Sequence, residues 1–210
     1  MDLRERKRVA TMKRVQAVAM DLFEERGFAD VTVEEIAAAA EVGPATVYRQ
    51  FTTKERIVFW DELESGLLSS VRSRLRGEAP LVAVKNALLE ELGRLPDSEA
   101  GVMLRRARLV AGVPELRAAS RSDAAELCIQ LADCLIKAGS ALDALDAEVV
   151  AGAIVATIES GANEWVREGG KITPGAAMAR AFTRLERHFA AASGRGRELA
   201  SNRRQHRGVS

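Results

Sequence analysis

The stretch Thr32–Lys54, TVEEIAAAAEVGPATVYRQFTTK, divides into two short helices joined by a tight turn, followed by the start of a third helix. Thr32 and Glu35 form a capping box: the hydroxyl can accept from the amide three residues on, while the carboxylate reaches back to the cap amide. Val33, Ile36, Ala37 and Ala40 recur at helical spacing, so one face is apolar. Glu41-Val42-Gly43-Pro44 breaks that run. Gly43 tolerates a turn and Pro44 suits the first position of a new helix. The second helix, Pro44 to Phe51, buries Val47 and Phe51. Ala45, Thr46, Tyr48, Arg49 and Gln50 face elsewhere. A helix with a small, hydroxylic, aromatic and cationic face, set by a short turn on another helix, fits a helix-turn-helix whose second helix enters the major groove.

The segment VTVEEIAAAAEVGPATVYRQFTTKERIV, and above all its T-V-Y-R-x-F-x-x-K-E run, resembles the DNA-binding segment of the TetR family of bacterial repressors. By that resemblance Thr32, Thr46, Tyr48 and Lys54 match positions that grip phosphates, which position a protein without reading sequence. Pro44, Ala45, Arg49 and Gln50 match positions facing base edges, where Arg can take guanine, Gln adenine, and a methyl the thymine methyl. Two features depart from the pattern. Glu41 stands where glycine is frequent, and Pro44-Ala45 stand where many relatives carry Ser and then Arg or Lys.

The 210 residues allow one or two domains with a sizeable core. With 47% hydrophobic and 29% charged residues the chain is globular rather than disordered. Only 4% are aromatic and alanine is abundant, which favours close-packed helices. The formal net charge of +1 gives no global attraction to nucleic acid, so DNA binding must rest on a local patch. Arg4, Arg6, Lys7, Arg8, Lys13 and Arg14 offer one: a basic N-terminal arm over residues 2–14 that runs into a first helix over roughly 9–26. Cys128 and Cys134 have neither metal nor redox spacing and read as buried thiols in a reducing cytoplasm. The N-terminus lacks an apolar signal core, and the longest apolar run, Val149 to Ile158, is too short to span a bilayer. These features predict a cytoplasmic protein. The two histidines, His188 and His206, lie near the end of the chain. No nucleophile–base pair, metal cluster or phosphate-binding glycine loop stands out, so no enzyme, cofactor or metal is expected.

The expected fold is all-α. Residues 1–54 form the helix-turn-helix domain with its arm, 55–192 a larger helical domain, and 193–210 a disordered Arg-rich tail. Thr52 and Glu55 read as a second capping box, starting a helix that runs to about Arg76. Further helices follow over 81–95, 98–112, 114–138 and 146–168, and from Pro174. The 146–168 helix is apolar almost all round and carries small residues at Gly152, Ala156 and Ser160, which let another helix approach closely. The last helix carries a Met178, Phe182, Leu185, Phe189 stripe. In the TetR family the last two helices of each subunit form a four-helix dimer interface, and these two resemble them. A homodimer would set two reading heads about 34–36 Å apart on a palindromic operator.

The family also encloses a small-molecule pocket, for which the candidate wall residues are Trp60, Leu67, Met103, Arg106, Leu131 and Trp165. Arg105, Arg106 and Arg108 crowd one helix. An acidic ligand or phosphate is one partner for them, and Glu99, Glu115 or solvent is the other reading. The segments LRRARLVAGVPELRA and AGAIVATIESGANEWVREGG resemble the C-terminal domain of mycofactocin-type regulators, which implies an apolar, acyl-coenzyme-A-like effector. The expectation is therefore a ligand-released repressor. The alternative is a regulator whose large domain serves dimerisation or a protein partner only.

Overall fold

The computed structural model describes residues 2–60, 63–138 and 142–188, apart from the side chains of 63–65. Among the described residues there is no strand. The helices are α1 (Leu3–Arg26), α2 (Val33–Ala39), α3 (Pro44–Phe51), α4 (Lys54–Phe59), α5 (Leu63–Arg74), α6 (Pro80–Gly93), α7 (Asp97–Gly112), α8 (Pro114–Lys137), α9 (Ala144–Arg167) and α10, which occupies 174–188. None is long and apolar enough to cross a membrane. Pro44, Pro80 and Pro114 stand in the first turns of their helices, where a missing amide costs nothing. The C-terminal tail assigned as disordered, and Phe189, lie outside the described residues.

Two expected boundaries are corrected. The basic arm is helical, because Asp2 caps α1 by accepting from the Glu5 amide at 2.7 Å. The helix expected to run unbroken from Thr52 to Arg76 is two helices. Thr52 takes φ 60° at the end of α3, so the cap of α4 is Thr53, whose hydroxyl accepts from the Arg56 amide. At the far end Trp60 leaves the helix with φ −57° and ψ 127°. The carbonyls released there are met from outside. The Gln16 amide nitrogen donates to the carbonyls of Ile57, Val58 and Trp60 at 2.9, 3.3 and 2.8 Å, and Arg106 Nη1 donates to that of Trp60 at 2.9 Å.

The head packs around Phe23, Phe28, Ile36, Val47 and Phe51, with Phe23 and Phe28 ring centroids 4.9 Å apart. Leu22 packs against this core while half-buried. The same cluster takes in Ile57 and Val58 of α4 and Leu116 of α8, so head and larger domain share one core. Ion pairs reinforce the junction: Arg105 to Asp21 and Glu24, Arg56 to Asp123, and Lys13 to Glu99. A second core forms where α5, α6, α8, α9 and α10 meet around Val71, Leu135, Ile154 and Phe182.

Candidate nucleic-acid interface and effector cavity

The capping box at α2 is complete. Thr32 Oγ1 accepts from the Glu35 amide at 3.2 Å, and Glu35 Oε2 accepts from the Thr32 amide at 2.8 Å and its hydroxyl at 2.9 Å. The Thr32 amide, the Arg26 guanidinium and the Thr32 hydroxyl hold the Glu35 carboxyl down at about 2. A carboxyl depressed in the folded state supports folding above its ordinary value near 4.5 and loses that support as pH falls through about 2. The cap is therefore intact at neutral pH. Thr32→Ala removes the hydroxyl but keeps the amide and Arg26, so it is expected to raise the Glu35 titration only part of the way toward 4.5, which carbon-detected NMR of its carboxyl reads directly.

The turn survives without glycine at position 41. Glu41 itself adopts φ 54°, the left-handed conformation that a glycine takes without steric cost. Gly43 and Pro44 then start α3 in the expected register, burying Val47 and Phe51. Pro44, Ala45, Tyr48 and Arg49 are exposed on one surface, while Thr46 and Gln50 are half-buried at its edges. The Arg49 guanidinium makes no hydrogen bond or ion pair with a described residue. Arg8 of α1 donates to Gln50 Oε1 at 3.4 Å while paired with Glu5, which brings the basic start of α1 beside α3.

Tyr48 is 48% exposed, and its hydroxyl donates to Glu34 Oε1 at 3.1 Å. That bond, with some desolvation, pushes the phenol further up, so it stays a proton donor. Lys54 is placed otherwise than a free phosphate-gripping side chain. Its ammonium donates to the carbonyls of Phe28, Val31 and Ala29 at 2.6, 3.0 and 3.5 Å and sits 4.3 Å from the Phe28 ring centroid. With three donors on three carbonyls it fastens the α1–α2 turn to the start of α4.

The larger domain holds a cavity of about 610 Å³ roofed by Phe59 at the end of α4 and walled by Met103 and Arg106 of α7, Trp165 of α9 and Met178 of α10. A second cavity, about 470 Å³, lies between α1 and α7; Trp60, Met103 and Arg106 line it. Four of the six expected wall residues thus face a cavity. Leu131 is buried in the second core and Leu67 packs against that core, so neither lines these two cavities. The crowded arginines of α7 diverge: Arg105 to Asp21 and Glu24, Arg106 to the Trp60 carbonyl, and Arg108 to the Gly169 carbonyl. Arg105 is pushed further above its ordinary value, by Glu24 first and Asp21 next.

Of the α10 stripe, Met178 and Phe182 are buried within the protomer and Leu185 is half-buried. Phe182 is 0% exposed and Met178 packs against Gly161 within the protomer, because α9 and α10 need their own apolar faces to close the second core. Gly152 is also half-buried, and Ala156 and Ser160 are exposed. The large exposed apolar residues here are Leu145 and Val149 of α9, at 68% and 63%, with Ile129 and Ile136 of α8.

A three-helix head presenting an open polar and cationic face on α3, fused to a helical domain with a cavity under its connecting helix, defines a helix-turn-helix DNA-binding protein. Residues 16–59 match the bacterial regulatory proteins of the tetR family, and residues 78–190, more than half of the chain, match the MftR C-terminal domain. The chain belongs to this family of transcriptional regulators. It is 36% identical over 99 residues to the HTH-type transcriptional regulator TcmR of Streptomyces glaucescens, covering 46% of this chain and 44% of TcmR. It is 32% identical over 121 residues to MftR of Mycobacterium tuberculosis, a regulator named for mycofactocin biosynthesis, covering 55% of this chain and 59% of MftR. The fold is shared with NalD of Pseudomonas aeruginosa, the secondary repressor of the MexAB-OprM efflux pump (TM-score 0.56, 20% identity, 86% and 96% of the two chains). It is also shared with the repressor FadR of Thermus thermophilus, solved in complex with lauroyl-CoA (TM-score 0.51, 23% identity, 82% and 91%).

Proposed function

We propose that this chain is a transcriptional repressor that binds a palindromic operator as a homodimer and is released by a small apolar or acyl-type effector. One observation carries the proposal: Phe59 packs against the head's core and lines the larger cavity at the same time. A ligand that displaces Phe59 therefore acts on α4 and the head through one side chain. The ligand must prefer the arrangement that fits DNA poorly, since only differential affinity shifts an equilibrium. The lauroyl-CoA complex of FadR supports an acyl-type effector for this cavity.

On the DNA, Thr46 and Tyr48 hold phosphates, with Thr32 capping α2 beside them. Arg49, Gln50, Pro44 and Ala45 face base edges. Lys54 fixes the turn that orients α2 and α3. Tyr48→Ala is expected to weaken operator binding by roughly 1–3 kcal/mol. Glu34→Gln is expected to tighten it by about 0.5–1 kcal/mol, because a carboxylate that repels phosphate is removed. Fluorescence anisotropy with a labelled duplex checks both, and equal affinities for all three proteins would remove Tyr48 from the interface.

The reading is tested with DNA from the gene's own upstream region, in gel shifts with and without a long-chain acyl-coenzyme A. Specific binding abolished by the acyl compound is the expected result. Specific binding that it leaves unchanged discards acyl-coenzyme A as the effector. Affinity is expected to fall steeply with salt, by a slope of about −0.9 per phosphate neutralised, and a flat response would contradict phosphate contacts from α1 and α3.

A further inference from the structure

The larger cavity is lined unevenly. Phe59, Met103, Val110, Trp165 and Met178 make an apolar interior. Its α8 side carries Arg117, Ser120 and Arg121, with Glu159 and Asn163 contributed by α9. Arg117 and Arg121 are four residues apart and so share one face of α8. Both are exposed, and neither side chain makes a hydrogen bond or ion pair with a described residue. The arginines around them are engaged: Arg56 with Asp123, Arg105 with Asp21 and Glu24, Arg106 with the Trp60 carbonyl, and Arg108 with the Gly169 carbonyl. Two unengaged guanidiniums thus stand together where the apolar cavity meets solvent.

We infer that the cavity takes an anionic amphiphile whose head group is clamped by Arg117 and Arg121 while its chain lies against Phe59, Met103 and Trp165. This rests on reading the cavity as the effector site. Guanidinium groups bind carboxylates through paired, charge-assisted hydrogen bonds, and two on adjacent turns can hold both oxygens. The lining also carries Arg106, whose guanidinium is held by the Trp60 carbonyl, and Glu159. The two guanidiniums left for a head group therefore match the two oxygens of one carboxylate, beside an acidic side chain that disfavours a polyanionic head group. Ser120 and Asn163 add neutral hydrogen-bonding groups beside it.

The test measures binding of laurate, dodecanol and lauroyl-coenzyme A to the full chain by isothermal titration calorimetry, below the micelle-forming concentration. The same titrations are made on Arg117→Gln/Arg121→Gln, with circular dichroism melting to verify its fold. Laurate is expected to bind wild type at least tenfold more tightly than dodecanol and more tightly than lauroyl-coenzyme A. The double variant is expected to lose at least tenfold for laurate while binding dodecanol as before. Equal affinity for laurate and dodecanol, or laurate binding that survives the double substitution, overturns the charge assignment and leaves the cavity reading standing. Tighter binding of lauroyl-coenzyme A than of laurate overturns the preference for a single charge. Binding of none of the three overturns the effector-site reading, and this inference with it.

Discussion

Leu116→Ala is expected to destabilise the chain by about 2–5 kcal/mol, the usual range for truncating a fully buried leucine. Leu116 is 0% exposed and is the residue through which α8 enters the core of the head, beside Ile57 and Val58 of α4. Leu109, Val110 and Val113 pack around the same cluster from the α7–α8 corner. The site has little freedom to collapse, because α1 and α4 are held by the Gln16 hydrogen bonds and α7 by the Arg105 ion pairs. A cavity left there also loosens the joint between head and larger domain. Urea denaturation should show a lower midpoint, and the head should begin to melt ahead of the rest. A loss below 1 kcal/mol with a single sharp transition would mean that the two parts do not depend on this shared core.

Gln16→Leu is expected to cost about 2–4 kcal/mol despite conserving most of the side chain's volume. Gln16 is 7% exposed, and its amide nitrogen serves three carbonyls where α4 ends. Leucine leaves the Ile57 and Val58 carbonyls without that donor, and an unsatisfied buried polar group costs about 1–3 kcal/mol. The Trp60 carbonyl keeps Arg106. Thermal melting of the variant checks the figure. A neutral result would show that packing, and not these hydrogen bonds, holds the break between α4 and α5.

That break marks the limit of what local sequence conveys. Ile57, Phe59, Trp60 and Leu67 read as one amphipathic helix, and neither Gly nor Pro interrupts them near Trp60. The donors that hold the break come from α1 and α7, far away in sequence. The helix-turn-helix was legible because its signals are local: Thr32 with Glu35, Gly43 before Pro44, and Val47 with Phe51. Prolines likewise marked the starts of α3 and α8. The extension of α1 to Leu3 had a local signal in Asp2 and Glu5, masked by the surrounding positive charge. Thr52-Thr53 offered two adjacent caps, and the positive φ of Thr52 gives the role to Thr53. Lys54 at a helix start suggests a phosphate ligand, but the carbonyls following α1 lie within its reach. The α10 stripe correctly signalled a buried face around Phe182. Periodicity cannot say whether the protomer or a partner buries it. Arg117 and Arg121 carried no local signal, since only the folding of α8 over the cavity sets them beside Trp165.

The central claim is that the exposed face of α3 reads DNA. Its most direct test is to select genomic fragments with the full chain and, in parallel, with Tyr48→Ala/Arg49→Ala, then sequence what each retains. The wild-type chain is expected to enrich a palindromic sequence, and the double variant, still folded, is not. Enrichment of no sequence by the wild type, or of the same sequence by both proteins, would contradict DNA reading by α3.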